Sequence, residues 1–190
     1  MKYGAITEKD AEVFDMLFAA IPKRTVKVLE IGVWKGDTAR GMKSACEFNG
    51  NACEYTGIDA QRHADPDPPF PGARYIVKPS EEAWEDVRDQ LFDLIFVDGC
   101  HCLNHVSLDT ALYSQFVAPG GYMVFHDASP LLQGVQKNPW VHGHDDLPVH
   151  RTHVLKALEL LGWPNAKWRL VTHQFDPASD IGGMIVFQRT

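Results

Sequence analysis

The 190-residue sequence is poor in cysteine, has no long apolar run and carries no surplus of basic residues. Four cysteines in a chain of this length do not make a disulfide framework, so reduced thiols and a cytoplasmic location are expected. No stretch approaches the roughly 20 apolar residues of a membrane span. The opening Met1-Lys2-Tyr3-Gly4 lacks the apolar centre and cleavage site of a secretory signal. Lys and Arg number 18 against 25 Asp and Glu, for a net charge of −7. Sequence-independent nucleic-acid binding needs clustered cations to neutralise phosphates, so neither nucleic acid nor membrane is expected as a partner. No internal repeat or low-complexity segment appears, and there is no GxxxxGKS/T phosphate loop. What is there is ordinary globular composition, 45% apolar, 23% charged and 11% aromatic. A chain of this length can bury roughly 70% of its unfolded surface in one core without a staple.

Strand-like and helix-like stretches alternate almost from end to end. Residues 8–21 place Ala11, Phe14, Leu17, Phe18 and Ile21 at helical spacing, and Pro22 ends them. Residues 26–32 are a β-branched, mostly apolar run closed by glycine. Residues 37–48 follow as a helix with Asp37 as the expected N-cap. Strands are expected at 55–59, 74–77, 92–97 and 122–125, the fourth of the chain apolar except for Asp93, which is expected to be solvated. Helices are expected at 80–90, 106–117 and about 149–161. The proline-rich stretch 65–72 suits neither element type. Runs at 168–172 and 184–187 have no helix-length segment between them and should pair antiparallel. Alternation of this kind implies a doubly wound α/β domain: a mostly parallel seven-stranded sheet, helices on both faces, and a C-terminal antiparallel hairpin. The expected organisation is a single domain over 1–190, with an N-terminal helix in 1–22 and a lid or acceptor loop at 128–148.

In open α/β sheets the ligand lies beyond the carboxyl ends of the strands. Here those ends read Glu30-Ile31-Gly32-Val33-Trp34-Lys35-Gly36-Asp37, then Asp59, then Asp98-Gly99-Cys100-His101, then His126-Asp127. Four strand ends deliver acids or imidazoles to one edge, which a purely structural sheet does not require. The first turn fails the dinucleotide fingerprint, because Trp34 and Asp37 stand where the second and third glycines would let a pyrophosphate approach.

With Glu30, Gly32 and Gly36 after the first strand, Asp59 after the second and the terminal hairpin, the sequence resembles the class I S-adenosylmethionine-dependent methyltransferases, which have a Rossmann-like fold. The resemblance implies that Glu30, Gly32, Trp34, Gly36, Asp59, Ser80 and Asp98 line the cofactor site. That assignment makes chemical sense. The cofactor carries a sulfonium and an ammonium but no phosphate, its ribose diol suits Asp59, and its carboxylate suits a helix N-terminus. Trp34 replaces the family's middle glycine, and Lys78-Pro79-Ser80 matches the adenine-contacting segment weakly. A narrower likeness rests on residues 92–101 with Asp109, Gly120-Gly121 and His126-Asp127. It is to the small-molecule O-methyltransferase group that includes the macrolide-sugar enzymes and the cephalosporin-hydroxylase-like proteins. It implies Asp98, His126 and Asp127 as ligands of a divalent metal such as Mg or Mn, and His101 as general base. The sugar enzymes have an acid at the position of His126; imidazole suits Mn, Fe, Zn or Ni better than Mg.

The expected activity is methyl transfer to a hydroxyl of a sugar or other small-molecule acceptor, and a homo-oligomer is compatible with it. The alternatives are a non-catalytic cofactor-binding protein of the same fold and an iron-dependent hydroxylase-like enzyme. Each residue also has a plainer reading. Asp98 closes an apolar strand, where a salt bridge would relieve its burial as well as a metal would. His126 can simply bond a carbonyl, and Asp109, mid-helix, is read as supporting or solvent-facing. Cys100, Cys102 and His105 form a CxCxxH run without a second ligand pair, so packed, reduced thiols are favoured there and at Cys46 and Cys53. The His142-Gly143-His144-Asp145-Asp146 stretch reads as a loop that covers the acceptor site, with Trp140 as a candidate apolar wall.

Overall fold

The structure, a computed structural model, describes residues 7–65, 67–134, 136–137, 150–177 and 182–190. Helix α1 (Glu8–Ala20) begins in a reciprocal cap: Thr7 Oγ1 accepts from the Asp10 N–H and the Asp10 carboxylate accepts from the Thr7 N–H. Then come β1 (Thr25–Ile31), α2 (Asp37–Phe48), β2 (Ala52–Asp59), β3 (Arg74–Val77), α3 (Ser80–Ala83) and β4 (Phe92–Val97). The chain continues through α4 (Leu103–Tyr113), β5 (Val117–Phe125), two short strands β6 (Gln136–Lys137) and β7 (His150–Arg151), α5 (Val154–Leu160), β8 (Trp168–Gln174) and β9 (Met184–Arg189). The main sheet has seven strands in the order β3-β2-β1-β4-β5-β9-β8. Strands β1 to β5 run parallel, and β9 is antiparallel to both β5 and β8. The seven-stranded doubly wound sheet with its C-terminal hairpin is thus as expected.

Alternation along the strands splits the core into two layers. Val26 and Val28 of β1, Leu94 and Phe96 of β4, and Tyr122 and Val124 of β5 pack with Phe14, Leu17 and Phe18 of α1 and Met42 and Cys46 of α2. The intervening residues, Leu29, Ile31, Ile95, Val97, Met123 and Phe125, pack on the other face with Val106 and Tyr113 of α4 and Val154 and Leu158 of α5. Each layer removes a contiguous apolar surface from water, at about 25 cal/mol per Å². Strand β4, at the centre, is buried along its whole length.

Several local expectations change. Helix α2 is capped by Gly36 at φ 76°, so Asp37 enters the first turn and its carboxylate bonds Arg40 Nη2 at 2.6 Å. The helix expected at 80–90 is only α3 followed by a 3₁₀ turn, Trp84–Asp86. The chain reaches β5 at Val117, with Gly120 at φ 76° and a register shift opposite Phe92 and Leu94, so the Pro119-Gly120-Gly121 run lies inside the strand. Asp93 is buried, not solvated: its carboxylate accepts from the Lys27 N–H at 2.9 Å and pairs with the Lys23 ammonium. Helix α5 starts at Val154, later than expected. The 128–148 stretch is described only in part: Ser129 caps a 3₁₀ turn, Pro130–Leu132, and β6 pairs with β7. Trp140 and the His142–Asp146 stretch lie outside the described residues.

Candidate active site

Backbone ladder bonds continue past the strand ends and set the site in a row. The Gly32 N–H donates to Ile58 O at 2.8 Å, the Asp98 N–H to Ile31 O at 2.8 Å and the His126 N–H to Val97 O at 3.0 Å. Gly32 stands at φ 90°, and a Cβ there would fall on the backbone of Asp98 and Gly99. Only glycine lets the first turn lie against the end of β4. The turn is then held from β2. Asp59 Oδ2 accepts from the N–H groups of Val33 (3.0 Å) and Trp34 (2.7 Å), and Oδ1 from that of Gln61 (3.0 Å). Trp34 takes φ 46°, a costly conformation for an indole-bearing residue. The residue is 47% exposed, with the Lys35 ammonium 4.8 Å from its ring centroid.

Glu30, near the end of β1, is fully buried and accepts a hydrogen bond from the Tyr55 hydroxyl, while its Oε1 has no hydrogen-bond partner among the described residues. Burial pushes its carboxyl well above the usual range; the Tyr55 bond opposes that shift, and the charges of Asp98 and Asp59 add to it. The acids at the ends of β1, β2 and β4 are therefore close enough to act on one another electrostatically.

The ends of β4 and β5 carry a second group. Asp98, His101, His126 and Asp127 each offer a donor atom within 4.8 Å of the others. Asp98 Oδ1 is 2.8 Å from His126 Nδ1 and 3.1 Å from His101 Nε2. The other ring nitrogen of His101 stands 3.0 Å from Asp127 Oδ2. Asp127 takes φ 52°, a left-handed conformation that Asp tolerates better than most residues and that re-aims the chain after β5. Three of the four are buried, and the Asp98 side chain is 15% exposed. Burial alone would raise the Asp98 carboxyl, but the imidazoles of His126 and His101 outweigh it and hold it well below the usual range. Burial likewise opposes the imidazolium of His126, yet the Asp98 and Asp10 carboxylates lift it to about 9.

The residue that sequence reasoning missed is Asp10. It is fully buried on α1, and its Oδ2 is 3.6 Å from His126 Nε2. The signal was present: Asp10 precedes Phe14 and Leu17 by one and two helical turns, on the stripe that faces the sheet. Of the expected site residues, the structure gathers Glu30, Gly32, Asp59, Asp98, His101, His126 and Asp127 at adjoining strand ends, with Trp34 and Gly36 in the turn. Ser80 is engaged elsewhere: its carbonyl accepts from the Tyr113 hydroxyl at 2.7 Å, and its side chain bonds Asp109. Asp109 is buried, which removes the solvent-facing reading, and burial lifts its carboxyl to about 7.

A family model described as a methyltransferase domain matches residues 29–128, more than half of the chain, from β1 through the turn after β5. No curated protein matches the sequence. Among solved structures, an O-methyltransferase from Bacillus cereus in complex with SAH is 13% identical over 100% of this chain and 84% of its own, with a TM-score of 0.67. Fibrillarin of Aeropyrum pernix with natively bound S-adenosyl-L-methionine is 15% identical over 93% and 74%, with a TM-score of 0.59. MycE methyltransferase of the mycinamycin biosynthetic pathway, in complex with Mg, SAH and mycinamycin VI, is 22% identical over 94% of this chain but only 49% of its own, with a TM-score of 0.61. At such identities the shared property is the fold, and the family match supplies the rest. The chain belongs to the methyltransferase domain family, with the sheet order of a class I S-adenosylmethionine-dependent enzyme.

Proposed function

We propose that this methyltransferase acts on a hydroxyl of a sugar or another small metabolite, assisted by a divalent cation, with His101 as general base. One observation carries the reading. The His101 ring lies between two carboxylates at the junction of β4 and β5, Asp98 on Nε2 and Asp127 on Nδ1. A base held on one side by a carboxylate keeps its orientation and stabilises its own protonated form.

The residues present fit both groups the reading needs. Asp59 and Asp98 bring carboxylates to the strand ends, which suits a sulfonium and an ammonium, and the buried Glu30 oxygen, unpartnered among the described residues, is a polar atom open to a ligand. Asp98, His126 and Asp127 supply mixed oxygen and nitrogen donors in one cluster, which suits a borderline divalent ion. MycE, which shares the fold, was captured with Mg. S-adenosylmethionine, when bound, supplies a methyl on sulfur that a hydroxyl can displace, and a cation at the cluster, when bound, acidifies and orients that hydroxyl. The chain's own residues do the remainder. Asp59 fixes the turn that faces the ribose, His101 Nε2 leaves Asp98 to take the hydroxyl proton, and Asp127 holds Nδ1 as the ring becomes cationic. Alignment at the strand ends then carries much of the rate.

The small-acceptor part of the proposal is supported by the net charge of −7, which disfavours a polyphosphate partner, and by the lack, among the described residues, of a helix long and apolar enough to cross a membrane. We extend the reading to the whole chain as one catalytic domain. The test is incubation with S-adenosylmethionine and a panel of hydroxylated sugars and small alcohols, with mass detection of methylated product and S-adenosylhomocysteine. Acceptor-dependent O-methylation that stops on chelation is expected. Transfer to nitrogen or carbon only, or full turnover in excess chelator, would overturn the acceptor or the cation.

A further inference from the structure

Cys100, Cys102 and His105 adjoin His101 in the chain and form a donor group distinct from the Asp98 cluster. The sequence alone favours packed thiols here, since no second ligand pair follows the CxCxxH run. The fold changes the balance, because it brings all three donors to one place without needing a second pair. Cys100 is in the turn that leaves β4, Cys102 is the N-cap of α4, and His105 is one helical turn on. That i, i+3 spacing sets Cys102 and His105 on one face, with Sγ and Nδ1 3.0 Å apart. The two sulfurs and the imidazole nitrogen all lie within 4.8 Å of one another.

We propose that Cys100, Cys102 and His105 form a second metal site, for a thiophilic d-block cation such as Zn²⁺, separate from the Asp98 cluster. Zinc at about 2.3 Å from sulfur and about 2.0 Å from nitrogen, in tetrahedral geometry, sets its ligand atoms roughly 3.5–3.8 Å apart. The Cys102–His105 pair, at 3.0 Å, is closer than that range and the remaining separations stay within 4.8 Å, so side-chain movements of about an ångström complete the coordination. All three residues are half-buried, which leaves the ion reachable and a fourth position for water. Binding releases the thiol protons to solvent as the two thiolates ligate. The neighbouring cluster does not compete for the same role: it offers carboxylates and imidazoles, while this one offers sulfur, and softness sorts the ions.

The placement also has a consequence for the catalytic machinery. His101 is the residue between the two cysteines, yet its ring turns away from them to Asp98 and Asp127. Its carbonyl is fixed as well, accepting from the His153 N–H at 2.9 Å. An ion held by Cys100 and Cys102 clamps the backbone on both sides of that ring, so the site positions His101 without touching the acceptor.

Cobalt(II) titration of the reduced, metal-free full chain tests the proposal. A near-ultraviolet sulfur-to-cobalt charge-transfer band, saturating at one ion, is expected. It should vanish in the Cys100→Ser/Cys102→Ser double variant, shift to higher cobalt concentration in His105→Ala, and persist in His126→Ala. On the wild-type chain, Zn²⁺ should slow alkylation of Cys100 and Cys102, read by peptide mass, while leaving Cys53 unchanged. That second measurement holds even where the double variant fails to fold. No charge-transfer band in the wild type, a band that survives the double variant, or alkylation indifferent to Zn²⁺ would overturn the site.

Discussion

At the end of β2, the hydrogen bonds of Asp59 come from backbone N–H groups, those of Val33, Trp34 and Gln61. At the end of β4, the Asp98 carboxylate instead faces two imidazoles, His101 and His126. The two acids occupy equivalent places in the two strands that flank β1, but they are held by different chemistry. Backbone donors keep their protons at any ordinary pH, so the glycine turn is a fixed scaffold. Imidazoles gain and lose theirs, so the β4–β5 cluster is an assembly of charges whose state depends on pH and on any cation present. The turn is suited to holding a cofactor, and the cluster to moving a proton.

The largest effect should come from breaking the cluster at its base. His101→Ala removes the ring between Asp98 and Asp127, and a positioned general base contributes ~10²–10⁴-fold. With an acceptor that supports turnover, kcat should fall by about that factor while calorimetric affinity for S-adenosylmethionine stays within about twofold of wild type. A variant that keeps its kcat would remove His101 from the chemistry and leave the cluster as a purely structural ion network.

Breaking the turn should do the reverse. Asp59→Ala takes away a charged acceptor and releases two N–H groups of the turn, so cofactor binding should weaken by roughly 1.5–3 kcal/mol. Asp59→Asn sharpens the point, because one amide oxygen can still accept from Val33 and Trp34 and should recover part of the loss. Calorimetry of the three proteins checks it. Equal affinity in all three would mean that the ligand does not use this strand end.

How much of this was legible depends on how local the cause was. Strand β4 could be read because its apolar run, residues 92–97, needs no context, and Gly32 because a strand-to-helix turn demands it. Asp98, His101, His126 and Asp127 could be marshalled from the rule that strand ends meet at one edge, and they do meet. What was hidden depends on distant partners. Asp93 reads as solvated until Lys27 and Lys23, more than 60 residues away, are found on its carboxylate. The helix expected at 80–90 fails because its alternating acids and apolar residues mimic helical spacing, while the chain turns through Trp84–Asp86 toward β4. Asp10 is the instructive case. Its position on the buried stripe of α1 was in the pattern, but an acid there made sense only once His126 was seen opposite it. The convergence of Cys100, Cys102 and His105 likewise needed the turn after β4 to be built.

The last and smallest effect distinguishes the two acids by pH alone. His126 faces Asp98 at 2.8 Å from β4, Asp10 at 3.6 Å from α1 and Asp127 at 3.9 Å on its own strand end, with the His101 ring 6.4 Å away. Its folded pKa, about 9, lies above the value of about 6.5 expected of an unfolded imidazole. A raised folded pKa means that the native state holds its proton more tightly. The contribution to stability is therefore complete below about pH 6.5 and is lost as pH rises through about 9. In chelator-treated protein, so that no cation replaces the proton, the unfolding free energy should fall by on the order of 2 kcal/mol across that window. Urea titrations at stepped pH measure it. His126→Gln should flatten the window because the titrating group is gone, whereas Asp59→Asn should leave its slope intact, since the turn is held by donors that do not titrate there. A slope unchanged in His126→Gln would place the proton on another group and separate the cluster from the pH dependence of the fold.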